Sequence, residues 1–67
     1  MPLIEITQTA QHSAEKKREL VETITQAYAK VTGIDEAKVW VIIKEIPRDS
    51  WGTGGVPLAD RDNAAKG

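Results

Sequence analysis

Val39-Trp40-Val41-Ile42-Ile43-Lys44-Glu45-Ile46 is the most strand-like run of this 67-residue chain, and the way it is covered decides the fold. Its near-continuous apolar character fits a strand buried on both faces for most of its length. Upstream, residues 14–32 carry Leu20, Val21, Ile24, Ala27, Tyr28 and Val31 at offsets 0, 1, 4, 7, 8 and 11, one apolar stripe of a helix. Ser13 stands at the N-cap, where its hydroxyl oxygen can accept from a first-turn N–H. Glu15 sets a negative charge near the positive end of the helix dipole. Gly33 is placed to end the helix in a left-handed conformation, and Asp35 to cap a brief turn over residues 34–38. Residues 2–8 put Ile4 and Ile6 on one face and Leu3, Glu5 and Thr7 on the other, the period-two pattern of a strand.

A strand over 2–8, a helix over 14–32 and a strand over 39–46 predict a β-α-β unit of the α/β (α+β) class with parallel strands. One helix on a two-stranded sheet covers one face only, so the cover missing from 39–46 must come from other subunits. Pro47 ends the second strand. The glycines at 52, 54 and 55 suit a hairpin or bulged turn. They follow no strand–turn–helix context and do not form a dinucleotide fingerprint. Residues 58–67 hold few apolar side chains and are expected to fray or to lie on a neighbour. The whole reads as a single domain over 1–67, with residues 47–67 as loop, hairpin and tail.

Size and composition point the same way. A chain this short is marginal at building its own core and relies on disulfides, a metal or self-association. There is no cysteine, and one histidine, His12, gives no cluster for zinc. Self-association is the remedy left. A net charge of −1 with interleaved signs argues against a nucleic-acid surface. Lys16-Lys17-Arg18, flanked by Glu15 and Glu19, reads as a solvated helix face. No run of about 18 apolar residues and no leader pattern occurs, so the chain reads as a cytoplasmic protein without membrane contact.

Pro2 is the residue with chemistry to offer. It suits the start of a strand, where a missing N–H does no harm. If Met1 is removed, its ring nitrogen becomes a secondary amine fixed at a strand end. A free α-amino group titrates near about 7.7–8.0, and burial beside Trp40, Trp51 and aliphatic neighbours would lower that value toward neutrality. Such an amine suits general base catalysis.

The length, Pro2 directly after Met1, the first strand, the Ser13-capped helix, Val39-x-Val41-Ile42-Ile43-x-Glu45 and Trp51-Gly52-x-Gly54-Gly55 resemble, in this order, the 4-oxalocrotonate tautomerases. The resemblance covers most of the chain. It implies a β-α-β unit followed by a β-hairpin, subunit pairs sharing a four-stranded sheet, and homohexamers built as trimers of dimers. It further implies active sites drawn from more than one chain, Pro2 as the catalytic base, no cofactor and Trp51 as a pocket wall. His12 and Trp40 stand where the family carries two substrate-binding arginines. That replacement points to a small monocarboxylate or carbonyl substrate rather than a dicarboxylate. The donor for a developing enolate oxygen is then sought among His12, Arg48, Lys44, Arg61 and the indole N–H of Trp40. Two other readings stay open: an amine that adds water to, or forms an iminium with, an activated small molecule, and a non-catalytic oligomeric binding or scaffold protein that kept the fold.

Overall fold

The computed structural model describes residues 2–66, with side chains described through Asn63. Strand β1 (Leu3–Gln8) leads into helix α1 (Ala14–Thr32), a 3-10 turn (Glu36–Lys38) and strand β2 (Trp40–Glu45). A second 3-10 turn (Arg48–Ser50), strands β3 (Gly52–Thr53) and β4 (Val56–Pro57) and helix α2 (Leu58–Lys66) complete the order. β1 and β2 pair in parallel, with Leu3 opposite Trp40 and Gln8 opposite Glu45. The pairing is closed at both ends, by Trp40 N–H to the Pro2 carbonyl at 3.0 Å and Ile46 N–H to the Gln8 carbonyl at 2.8 Å. β3 and β4 form a hairpin whose turn residues Gly54 and Gly55 sit at φ 63° and 84°, the positive pair that matches strand twist in two-residue turns. The fold is thus a β-α-β unit with a C-terminal hairpin.

Capping explains the limits of α1. Ser13 Oγ accepts from Lys16 N–H at 3.2 Å, and Gly33, at φ 77°, donates its N–H to the Ala29 carbonyl at 2.8 Å. Asp35 caps the 3-10 turn through Ala37 N–H at 3.1 Å. The inward stripe of α1 differs from the one read off hydrophobicity. Lys17, Leu20, Ile24, Thr25, Tyr28 and Ala29 are half-buried, while Val21 and Ala27 are exposed and Val31 is 86% exposed. A two-stranded sheet is narrower than the apolar arc of the helix, so the flanking valines find nothing to cover them.

The sheet shows the same shortage. Ile4, Ile6, Val41 and Ile43 face α1 and are half-buried, whereas Leu3, Trp40 and Ile42 stand exposed on the opposite face. β2 is therefore covered on one face only within the protomer. Among the described residues none is fully buried. The surface area, 5115 Å², exceeds the roughly 4,200 Å² of an ordinary monomer of this mass. The radius of gyration, 15.9 Å, compares with about 11 Å for a compact chain of this length.

Residues 58–66, expected to fray or to lie on a neighbour, form α2 and dock within the protomer. Arg48 Nη2 donates to Asp62 Oδ1 at 2.7 Å, its Nε donates to Asp62 Oδ2, and its Nη1 donates to Thr9 Oγ1 at 3.2 Å. The Leu58 N–H closes the hairpin on the Trp51 carbonyl at 2.8 Å. Few apolar residues were needed, because a forked guanidinium on a carboxylate fixes direction as well as distance. Gly67 and Met1 lie outside the described residues.

One polar latch ties helix to sheet. Glu45 Oε1 accepts from Lys17 Nζ at 2.9 Å and its Oε2 accepts from the His12 backbone N–H at 2.9 Å. Lys17 is accordingly withdrawn from the solvated face read for Lys16-Lys17-Arg18, while its two neighbours remain exposed. The Lys17 hydrogen bond, followed by that from His12, holds the Glu45 carboxyl below its ordinary value of 4.5.

A Cβ at Gly33 would meet nothing within 4 Å, so Gly33→Ala costs backbone strain alone, about 1–2 kcal/mol by urea unfolding, and Gly33→Asn less. Because the Glu45 carboxyl is lowered on folding, its contribution is complete above pH 4.5 and is lost as the pH falls through the depressed value. Glu45→Gln should therefore be less stable than the parent at neutral pH, with the gap closing in acid. Urea midpoints across pH check this, and a gap independent of pH contradicts it.

Candidate active site

The parallel sheet has two ends, and the candidate residues divide between them. Pro2 and Trp40 lie at the N-terminal end, joined by the backbone hydrogen bond that closes the pairing. Pro2 is half-buried and continues the helix-facing alternation of Ile4 and Ile6. Trp40 belongs to the other face, 55% exposed beside Leu3. At the C-terminal end gather His12, in the connection from β1 to α1, and Arg48, one turn beyond β2. Trp51, half-buried, follows the Arg48–Ser50 turn and opens the hairpin. Six residue steps of about 3.3 Å put roughly 20 Å between Pro2 and Gln8. One protomer therefore does not bring Pro2 together with His12 or Arg48.

The bases considered as donors are already engaged. Arg48 is occupied by Asp62 and Thr9, and Asp62 raises its pKa further above the ordinary arginine value. Lys44 Nζ lies 3.6 Å from Glu5 Oε2 on the exposed sheet face, and Arg61 Nη2 donates to the Thr53 carbonyl at 3.3 Å. His12 instead lines a cleft of about 400 Å³ along α1, with Lys16, Glu19, Leu20 and Thr23. Gln8, opposite Glu45 in register, carries a side-chain Nε2 closed off from solvent, with no acceptor among the described residues.

From the sequence Lys17 was expected on a solvated helix face, Glu45 entered only as the last residue of the strand motif, and Asp62 was given no role. A signal for the first two was present. Lys17 falls three residues before Leu20 on the inward stripe, and Glu45 shares the helix-facing parity of Val41 and Ile43. Two opposite charges on two facing apolar surfaces are a pair. Among the described residues no three His, Cys, Asp or Glu side chains gather to hold a metal ion, and no helix is long and apolar enough to cross a membrane.

Comparison with known proteins fits this architecture. The family model described as tautomerase enzyme matches residues 2–61. A probable tautomerase of Ralstonia nicotianae is 40% identical over 57 residues, covering 85% of this chain and 81% of its own. A 2-hydroxymuconate tautomerase of Bacillus subtilis is 34% identical over 62 residues, covering 92% of this chain and 100% of its own. Among solved structures, a heterohexamer 4-oxalocrotonate tautomerase from Chloroflexus aurantiacus superposes with a TM-score of 0.78 at 35% identity, covering 90% of this chain and 97% of that one. With its strand order, hairpin and sequence all shared, this chain belongs to the tautomerase family of isomerases, among the homologues of 4-oxalocrotonate tautomerase.

Proposed function

We propose that Pro2, made the amino terminus by removal of Met1, is the general base of an enol–keto tautomerase acting on a small monocarboxylate or carbonyl substrate. The observation that carries this reading is the fixed position of Pro2. Its carbonyl is held by Trp40 N–H at 3.0 Å and its ring is half-buried at the sheet end, so its nitrogen has a defined place. The neutral amine takes the enol O–H proton while that bond's electron pair becomes the C=O π bond. The former C=C pair then takes the proton back from the prolinium at carbon. Pro2 is base and then acid, and no outside reductant or oxidant enters.

The site is completed by other copies of the chain, in a homohexamer built as a trimer of dimers. Two features support this: the uncovered face of Leu3, Trp40 and Ile42, and the roughly 20 Å between Pro2 and the opposite sheet end. A neighbouring copy brings its Trp51 to wall the pocket and its His12 to the substrate's polar end. Trp40 supplies one indole N–H, where an arginine would supply a two-pronged grip on a carboxylate. Arg48, placed by sequence among the substrate-binding candidates, serves here to hold α2 and Thr9. With a histidine and a tryptophan at the two arginine positions, a second substrate carboxylate finds no matching fork.

Pro2→Ala should lower kcat/KM by about 100- to 10,000-fold, the range for loss of a positioned general base. The probe is 2-hydroxypenta-2,4-dienoate, followed by loss of the dienol absorbance. Protein that retains Met1 should be equally impaired, and turnover by Pro2→Ala equal to the parent's would overturn the proposal. The same probe should be preferred over the dicarboxylate 2-hydroxymuconate. For the assembly, the thermal midpoint should rise with protein concentration. A midpoint that stays constant over about a hundredfold dilution would contradict folding coupled to association.

A further inference from the structure

We propose that Glu45 is a positioning residue of the active site, acting through the backbone of His12; this rests on the reading of His12 as a substrate-contacting residue given above. One carboxylate at the end of β2 makes two contacts across the chain. It accepts from the His12 N–H at 2.9 Å, 33 residues away in sequence, and from Lys17 Nζ at 2.9 Å, 28 residues away. The first contact fixes the connection between β1 and α1, and the second fixes the first turns of α1. His12 is the first of those anchors, and the Ser13 cap stands between it and the second.

The connection has few other holds. Residues 10–16 are all exposed, and its polar fastenings are the Glu45 bond to His12, the Ser13 cap and the Arg48 contact with Thr9. The first of these determines where the His12 imidazole starts. Glu45 is itself held. Its strand is paired through Gln8, the Ile46 N–H closes on the Gln8 carbonyl at 2.8 Å, and its side chain is 21% exposed. A rigid carboxylate thus transmits the position of the sheet to a loop residue that lines the cleft along α1. An imidazole on an unfixed loop would lose orientation and with it substrate affinity, since a side chain acts only where its supporting contacts hold it. Lys17 fixes the second carboxylate oxygen, so the carboxylate cannot rotate to follow a shifted loop.

The test is a double-mutant cycle between positions 45 and 12, read in KM and kcat separately with 2-hydroxypenta-2,4-dienoate. Glu45→Ala should raise KM by about tenfold, within the range for coupled neighbours, while changing kcat less. His12→Ala should raise KM comparably, and Glu45→Ala should add nothing further in the His12→Ala background. Glu45→Gln, which keeps an acceptor for the His12 N–H, should recover much of the lost affinity. A contribution that merely stabilises the fold would add equally in both backgrounds. Additive effects, or an unchanged KM in Glu45→Ala, would overturn the proposal. If Glu45→Ala does not fold, Glu45→Met, which fills similar space and offers the His12 N–H no carboxylate acceptor, gives the same comparison in the same two backgrounds. Pro2→Ala separates this from the base assignment: its full activity would sink the base while leaving the cycle between 45 and 12 to be read on its own.

Discussion

A two-stranded parallel sheet backed by one helix buries one face and leaves the other to water, and everything else in this protein follows from that imbalance. Leu3, Trp40 and Ile42 form an apolar face left largely exposed by the described residues of the protomer. Even the covered side is thin, with no described residue fully buried. Apolar burial supplies about 25 cal/mol per Å², so a chain that excludes so little surface gains little against the entropy of ordering its backbone. Cover from further copies is the remedy open to a chain without cysteine, and it accounts for the extended, open shape of the single subunit.

The polar contacts take over where apolar packing is short. Glu45 joins strand to helix and to the connection before it, and Arg48 joins the second 3-10 turn to α2 and to Thr9. Each uses one side chain to hold two separate segments. Both lie at the C-terminal end of the sheet, the end at which the chain changes direction twice. The opposite end, where Pro2 stands, is held among the described residues by the backbone bond from Trp40. In the proposed enzyme this division has a purpose. There the reacting nitrogen would stand at the Pro2 end, and the polar end would offer binding groups to a neighbouring copy.

Much of the fold was legible from residue pattern. Alternation of Ile4 and Ile6, the Ser13 cap, Gly33 at a positive φ and the paired glycines of the hairpin each impose a local conformation without help from distant residues. The lateral extent of the helix stripe was not legible. Val21, Ala27 and Val31 satisfy helical spacing, yet the sheet is too narrow to reach them. The anchoring of the tail was not legible for a related reason. Its helix is anchored by Arg48 on Asp62, fourteen residues apart in sequence, and a composition poor in apolar residues carries no trace of that pairing.

By itself the sequence determined which segments are strand and helix, that Pro2 opens the first strand, and that β2 carries more apolar surface than one helix can cover. These are properties of spacing and of side-chain type, and they act over a few neighbouring residues. Only the tertiary structure decided which charges are working parts. It withdrew Lys17 from the solvent face to Glu45, took Arg48 out of the pool of free cations, and set Pro2 and His12 at opposite ends of the sheet. Those outcomes depend on which atoms come within hydrogen-bonding distance across stretches of 14 to 33 residues, and that proximity is created by the fold.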